Sequence, residues 1–197
     1  LGDHLSGKKA FVLVATDRWG MLRTFVDAGF ECIFGDLMFT LGVPIPIRTE
    51  SSIRTLTSIL APVISRLPFE WVYPVGEKQE ERAPKFGKYF QWSDVVAGDC
   101  HYITRYMPDR MDGKIILTNT TTQEDRELFR KAGVKYLVTT TPVLDGRSFG
   151  TNMMEAALIA AIGRKEPVDY AHPANYFEEL DGLLEQIHLE PQVQELN

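Results

Sequence analysis

The chain has two cysteines in 197 residues, Cys32 and Cys100, too few and too far apart for a disulfide framework or a zinc knuckle. Both fall beside apolar, strand-like runs, where a free thiol behaves as a small hydrophobe. The expected compartment is therefore a reducing cytoplasm. No apolar run is long enough to cross a bilayer, and Leu1-Gly2-Asp3-His4 carries no charged-then-apolar leader, so neither a membrane nor an export role is expected. A basic excess is also missing. Lys and Arg total 21 against 27 Asp and Glu, a net charge of -6, and the two signs are mixed along the chain. That argues against a general nucleic-acid binder, which needs a cationic face for phosphates. The four histidines show no metal-ligand spacing, and no Walker loop, nucleophile elbow, Ser-His-Asp order or H-E-x-x-H is present.

What remains is an alternation of short apolar runs and helical periods. Residues 9–16 (KAFVLVAT) form an apolar, β-rich run, as a buried parallel strand should be. Residues 21–28 carry Leu22, Phe25 and Val26 at helical spacing, and Gly29 stops them. Residues 30–35 (FECIFG) read as a second strand ending at Asp36. Strand, helix, strand is the order of a right-handed crossover. Prolines keep residues 43–47 out of a central strand, and Pro62 predicts a kink or break in a helix over 49–67. Residues 71–75 are expected to be a short strand or extended piece, and the charged stretch 77–88 a surface loop or short helix. The alternation resumes with strands at 94–98, 114–118 and 136–140 and helices at 101–107, 122–132 and 152–162. The expectation is an α/β, Rossmann-like three-layer domain over residues 1–165, with a mainly parallel sheet of about six strands. Residues 166–197 are expected to form a peripheral helical tail.

In such sheets ligands bind beyond the carboxyl ends of the strands. Asp36 stands sixteen residues after Gly20, where a dinucleotide domain places an acid for the adenine ribose hydroxyls, a choice that favours NAD over NADP. The alternative is an Asp that caps the next turn. A glycine fingerprint would fall on Ala15, Asp17 and Gly20, so one glycine of three is present. Asp17 opposes a pyrophosphate there, while Arg18 offers a counter-charge. Asn119 and Thr120 stand at another strand tip and could hydrogen-bond a ligand. Asp99 and His101 are the candidate acid–base pair. Arg147, Ser148 and Asn152 precede or open a helix that is apolar nearly all round, hence expected to be buried, with its N-terminus either available to an anion or capped by Asn152 with Glu155.

Five stretches together, 17–21 (DRWGM), 35–39 (GDLMF), 67–71 (LPFEW), 98–101 (GDCH) and 146–152 (GRSFGTN), resemble a bacterial family labelled quinate 5-dehydrogenase. The likeness runs over about residues 5–163, and is more remote to the nucleotide-binding domain of shikimate/quinate dehydrogenases. The resemblance implies an NAD- or NADP-dependent oxidoreductase acting on a quinate- or shikimate-like hydroxy acid. It also implies a second, N-terminal substrate domain that holds the catalytic Lys–Asp pair. Neither member is matched here, and the leucine start leads us to expect that domain upstream of Leu1. The implied partner is a small-molecule substrate, with homo-oligomerisation left open. The rival reading is a non-catalytic Rossmann-like sensor of a small anion, or a protein-interaction domain.

Overall fold

A computed structural model describes residues 8–64, 66, 82–141, 143–144, 147–148, 150–163 and 174–197. The expected extended piece at 71–75 and the start of the charged stretch 77–88 lie outside them. β1 (Lys9–Val12), α1 (Trp19–Asp27) and β2 (Glu31–Phe34) form the opening crossover, with β1 and β2 parallel in the register Lys9↔Glu31 to Val12↔Phe34. A single 3-10 turn, Thr16–Arg18, joins β1 to α1. α2 (Asp36–Leu41) starts directly after β2, and α3 (Glu50–Ile64) carries Pro62 inside it. α4 (Gly87–Trp92), β3 (Val95–Ala97), α5 (Cys100–Tyr106), β4 (Ile115–Thr118), α6 (Gln123–Lys131) and β5 (Tyr136–Thr139) follow. A two-residue ladder, β6 (Val143–Leu144) with β7 (Arg147–Ser148), leads to α7 (Thr151–Ile162), α8 (Ala174–Gln186) and β8 (Gln192–Glu195).

The main sheet runs β2-β1-β3-β4-β5-β8, parallel from β2 to β5 and antiparallel at β8. This is an α/β fold with both sheet faces covered, which is why its strands read as nearly continuous apolar runs. Their side chains still alternate. Phe11, Leu13, Ile33, Val96, Ile116 and Leu137 enter one core, with Phe90, Ile103 and Phe129 from the helices and Met107 just after α5. Ala10, Val12, Phe34, Val95, Ala97 and Val138 enter the other, with Leu22, Phe25 and Ile53. Successive strand residues point to opposite faces, so one run feeds two cores.

Two expectations change. The tail read as peripheral and helical supplies α8 but also β8, which pairs with β5 from Tyr136↔Glu195 to Thr139↔Gln192 and completes the six strands. The helix expected to be buried, α7, lies on the surface. Met153 is 62% exposed, Ala156, Ala157, Ala160 and Ala161 are exposed, and Leu158 alone among its described side chains is buried. The physical reason is its alanine content. Alanine forms helix by intrinsic propensity and brings little apolar area to bury, so apolarity on all sides did not require a core position. No helix among the described residues is long and apolar enough to cross a membrane.

Candidate functional site

The strand order reverses at β1, whose neighbours are β2 on one side and β3 on the other. The connections leaving the tips of β1 and β3 therefore diverge to opposite faces and leave a crevice between them, the place where open α/β sheets take ligands. A pocket of about 120 Å³ lies there, lined by Leu13, Val14, Asp17 and Arg18 after β1 and by Asp99 and Tyr102 after β3. Gly98 lets the two tips approach. Its φ of +151° is one that L side chains rarely adopt, and a Cβ would stand 3.3 Å from the Cβ of Leu13.

Asp99 is the best-anchored group of the pocket. It is the N-cap of α5, where its Oδ1 accepts from the His101 N–H at 2.9 Å. Its Oδ2 accepts from Nη2 of Arg18 at 2.8 Å, across the crevice. Both partners of this ion pair are about one-fifth to one-quarter exposed, so solvent screens it only in part. Asp17 shares the pocket while keeping an exposed flank. Desolvation raises its carboxyl above the ordinary value; Arg18 works against that shift, and Asp36 and Asp99 add to it. Tyr102 closes one side and belongs to a run of aromatic contacts with Phe39 and Tyr106.

A carboxyl raised in the folded state favours folding while it is protonated. That contribution is complete below the unfolded-state value and is lost as pH rises through the folded one. Asp17→Asn, neutral at every pH, is therefore expected to be more stable than the parent chain at neutral pH. The gap should narrow as pH falls into the carboxylate range. Urea denaturation of both proteins along a pH series reads this directly, and a gap that widens on acidification contradicts it.

The other residues singled out by sequence fall in three places. Asp36 is 4% exposed and turns back toward the β1 tip. Its Oδ2 accepts from the Ala15 N–H at 3.1 Å, and its Oδ1 accepts from the Thr16 N–H at 2.8 Å and the Thr16 hydroxyl at 2.6 Å. Gly20 sits in the first turn of α1 with open space where a Cβ would be, so close approach does not require glycine there. His101 is exposed at the start of α5 and is not among the pocket's described lining residues. Asn119 and Thr120, after β4, belong to the start of α7. The buried Asn119 amide donates through Nδ2 to Oγ1 of Thr151, and a Cβ on Gly150 would lie 3.6 Å from Thr120 Oγ1. Arg147 and Ser148 form β7 and Asn152 lies in the first turn of α7, but the side chains of these three lie outside the described residues. α7 begins at Thr151, one residue before the expected start, with Gly150 as its N-cap and no side-chain cap.

Sequence reasoning missed the apolar and aromatic lining, Leu13, Val14 and Tyr102, and the Arg18–Asp99 pair. The Asp99 cap itself was signalled by an Asp between a strand and a helix. Nothing in the sequence links positions 18 and 99. Neither cysteine is poised for chemistry. Burial, with Glu31 beside it, pushes the Cys32 thiol up to about 11, and burial, with Asp125 and Asp99 nearby, pushes Cys100 well above its ordinary range. Thiolates are the reactive form, so burial works against chemistry at either thiol near neutral pH. No cluster of three or more His, Cys, Asp or Glu placed to hold a metal ion exists among the described residues. A larger groove of about 390 Å³ between α7 and α8, lined in part by Glu178, Glu179 and Leu183, is built from helix faces without a strand tip.

One family model matches residues 1–196, described as Domain of unknown function (DUF8754). The chain belongs to that family. No curated protein and no solved structure matches it significantly. Membership therefore assigns no chemistry to the crevice.

Proposed function

We propose that the chain is a small-ligand-binding α/β domain whose site is the β1/β3 crevice, and that its ligand is a hydroxylated organic acid. The observation that carries this reading is the pocket in which the Arg18 guanidinium and the Asp17 and Asp99 carboxyls face one another. Arg18 has five donors and gives only one to Asp99 through Nη2, which leaves a fork for an incoming carboxylate. Asp17 and Asp99 offer acceptors to hydroxyl groups, and the Tyr102 ring offers an apolar wall. Quinate- and shikimate-like acids combine a carboxylate with ring hydroxyls, so they are the natural first probes. The volume suits part of such a molecule: about 120 Å³ is room for roughly four waters at ~30 Å³ each.

The second reading is a nicotinamide-nucleotide domain of an oxidoreductase, favoured by the reversal of strand order at β1 and the acid directly after β2. The residues present do not fit a dinucleotide's pyrophosphate. The amides of Ala15 and Thr16, which such a loop directs at phosphate, already serve the Asp36 carboxylate. Asp36 is 4% exposed and both of its oxygens face those loop donors, which leaves little of it for a ribose.

Calorimetric titration separates the two. Quinate and shikimate are expected to bind with millimolar or better affinity. Arg18→Ala should weaken binding by about tenfold or more, the cost of one charge-assisted hydrogen-bonding partner. NAD and NADP at millimolar concentration should give no saturable heat. Saturable NAD or NADP binding without hydroxy-acid binding overturns the proposal in favour of the second reading.

A further inference from the structure

We propose that Asp36 is an internal anion: its carboxylate fills the anion position of the β1–α1 loop and makes that loop refuse phosphorylated ligands. The inference goes beyond the hydroxy-acid reading and does not depend on it, because it concerns the loop amides and not the Arg18–Asp99 pair.

Two successive backbone N–H groups, those of Ala15 and Thr16, converge on one carboxylate at 3.1 and 2.8 Å, and the Thr16 hydroxyl adds a third donor at 2.6 Å. Converging successive amides form an anion-binding concavity, the device that phosphate loops use. Here the anion comes from the chain itself, twenty-one residues downstream of Ala15. Local geometry brings it in. Gly35 donates its N–H to the Val12 carbonyl at 2.9 Å, and a Cβ at Gly35 would stand 2.7 Å from the Leu13 carbonyl oxygen. The β2 tip thus presses against the β1 tip, and α2 begins at once, which sets Asp36 beside the loop amides it accepts from. At 4% exposure it is not a solvated surface acid. A phosphate approaching the same donors meets a carboxylate that already occupies them, and like charges a few ångströms apart repel.

The test is a gain of binding. Asp36→Ala removes the carboxylate and leaves the two amides and the hydroxyl facing an open position. Inorganic phosphate and formate, compared with chloride at equal ionic strength, are expected to raise the melting temperature of this variant by about 3 °C or more. The parent chain should not respond. Phosphate should also give saturable heat with the variant and none with the parent. An equal response of both proteins to phosphate and formate, or no response from a folded variant, overturns the proposal. Hydrogen exchange on the parent chain is a second measurement that needs no variant. The Ala15 and Thr16 amides should be protected without any added anion and unchanged by millimolar phosphate. Fast exchange, or protection that appears only with phosphate, overturns the proposal as well. Loss of quinate or shikimate binding alone touches the pocket reading and leaves this one standing.

Discussion

Phe11→Ala is expected to lower the unfolding free energy by about 3–5 kcal/mol, the range for truncating a large buried aromatic. Phe11 is fully buried on β1, which has a strand on each side. Its ring meets Phe90 edge-on at 5.2 Å and lies 5.7 and 6.0 Å from the rings of Tyr89 and Phe39. Those partners come from α4 and α2, so one side chain ties two helices to the sheet. Removing it loses the transfer energy and leaves a void between rigid rings that cannot collapse around an alanine. Domains of this size are stable by about 5–15 kcal/mol, so the variant should stand near its unfolding limit. Urea denaturation gives the answer through the midpoint at constant slope. Val193→Ala, on the half-exposed outer strand β8, is the matched control, with a loss below about 0.5 kcal/mol. A Phe11 loss of only about 1 kcal/mol contradicts a core centred on that ring.

The architecture was legible wherever a strand was buried on both faces. β1, β2, β3, β4 and β5 fall inside the apolar runs read from the sequence, and α1, α5, α6 and α7 lie within two residues of their expected ends. For α6 the boundary has a clear cause: Thr122 and Asp125 form a reciprocal capping box, each side chain accepting from the other residue's backbone N–H. The misses share a different cause. α2 is one and a half turns long and hides in what looks like a strand's end, because Gly35 and Asp36 read as a turn. β8 (QVQE) has one apolar residue, and as an edge strand facing water it needs no more than that. α7 reads as a core helix because its apolarity comes largely from alanine, which does not need burial.

At the site, type was legible and pairing was not. Asp17, Arg18, Asp36 and Asp99 all stand at strand tips, as the fold rule requires. Which acid faces which base depends on how far β1 and β3 are offset and twisted, and positions 18 and 99 carry no mark of each other. The same applies to Asp36. A ribose-binding acid and a loop-binding acid occupy one sequence position after β2, and only the direction of the side chain tells them apart. That direction is decided by Gly35.

Gly35→Ala is accordingly the second substitution with a large expected effect, a loss of about 1–3 kcal/mol for a single added methyl group. Its φ of -95° suits any residue, so backbone freedom is not the reason. The reason is space. The new Cβ would lie 2.7 Å from the Leu13 carbonyl oxygen and 2.8 Å from the Phe39 ring. Phe39 can give by rotation only at the expense of its packing against Phe11, Phe86 and Tyr106. The Leu13 oxygen belongs to the backbone between β1 and the loop, so the tips themselves must part. Parting them should carry the Asp36 carboxylate away from the Ala15 and Thr16 amides, so protection of those amides should fall more than protection of the distant β4 and β5 amides. Stability within about 0.5 kcal/mol of the parent, with Ala15 and Thr16 still protected, contradicts a tip held this closely. A proportionate loss in both readouts ties the contact that admits no methyl group to the position of the loop bearing Asp17 and Arg18.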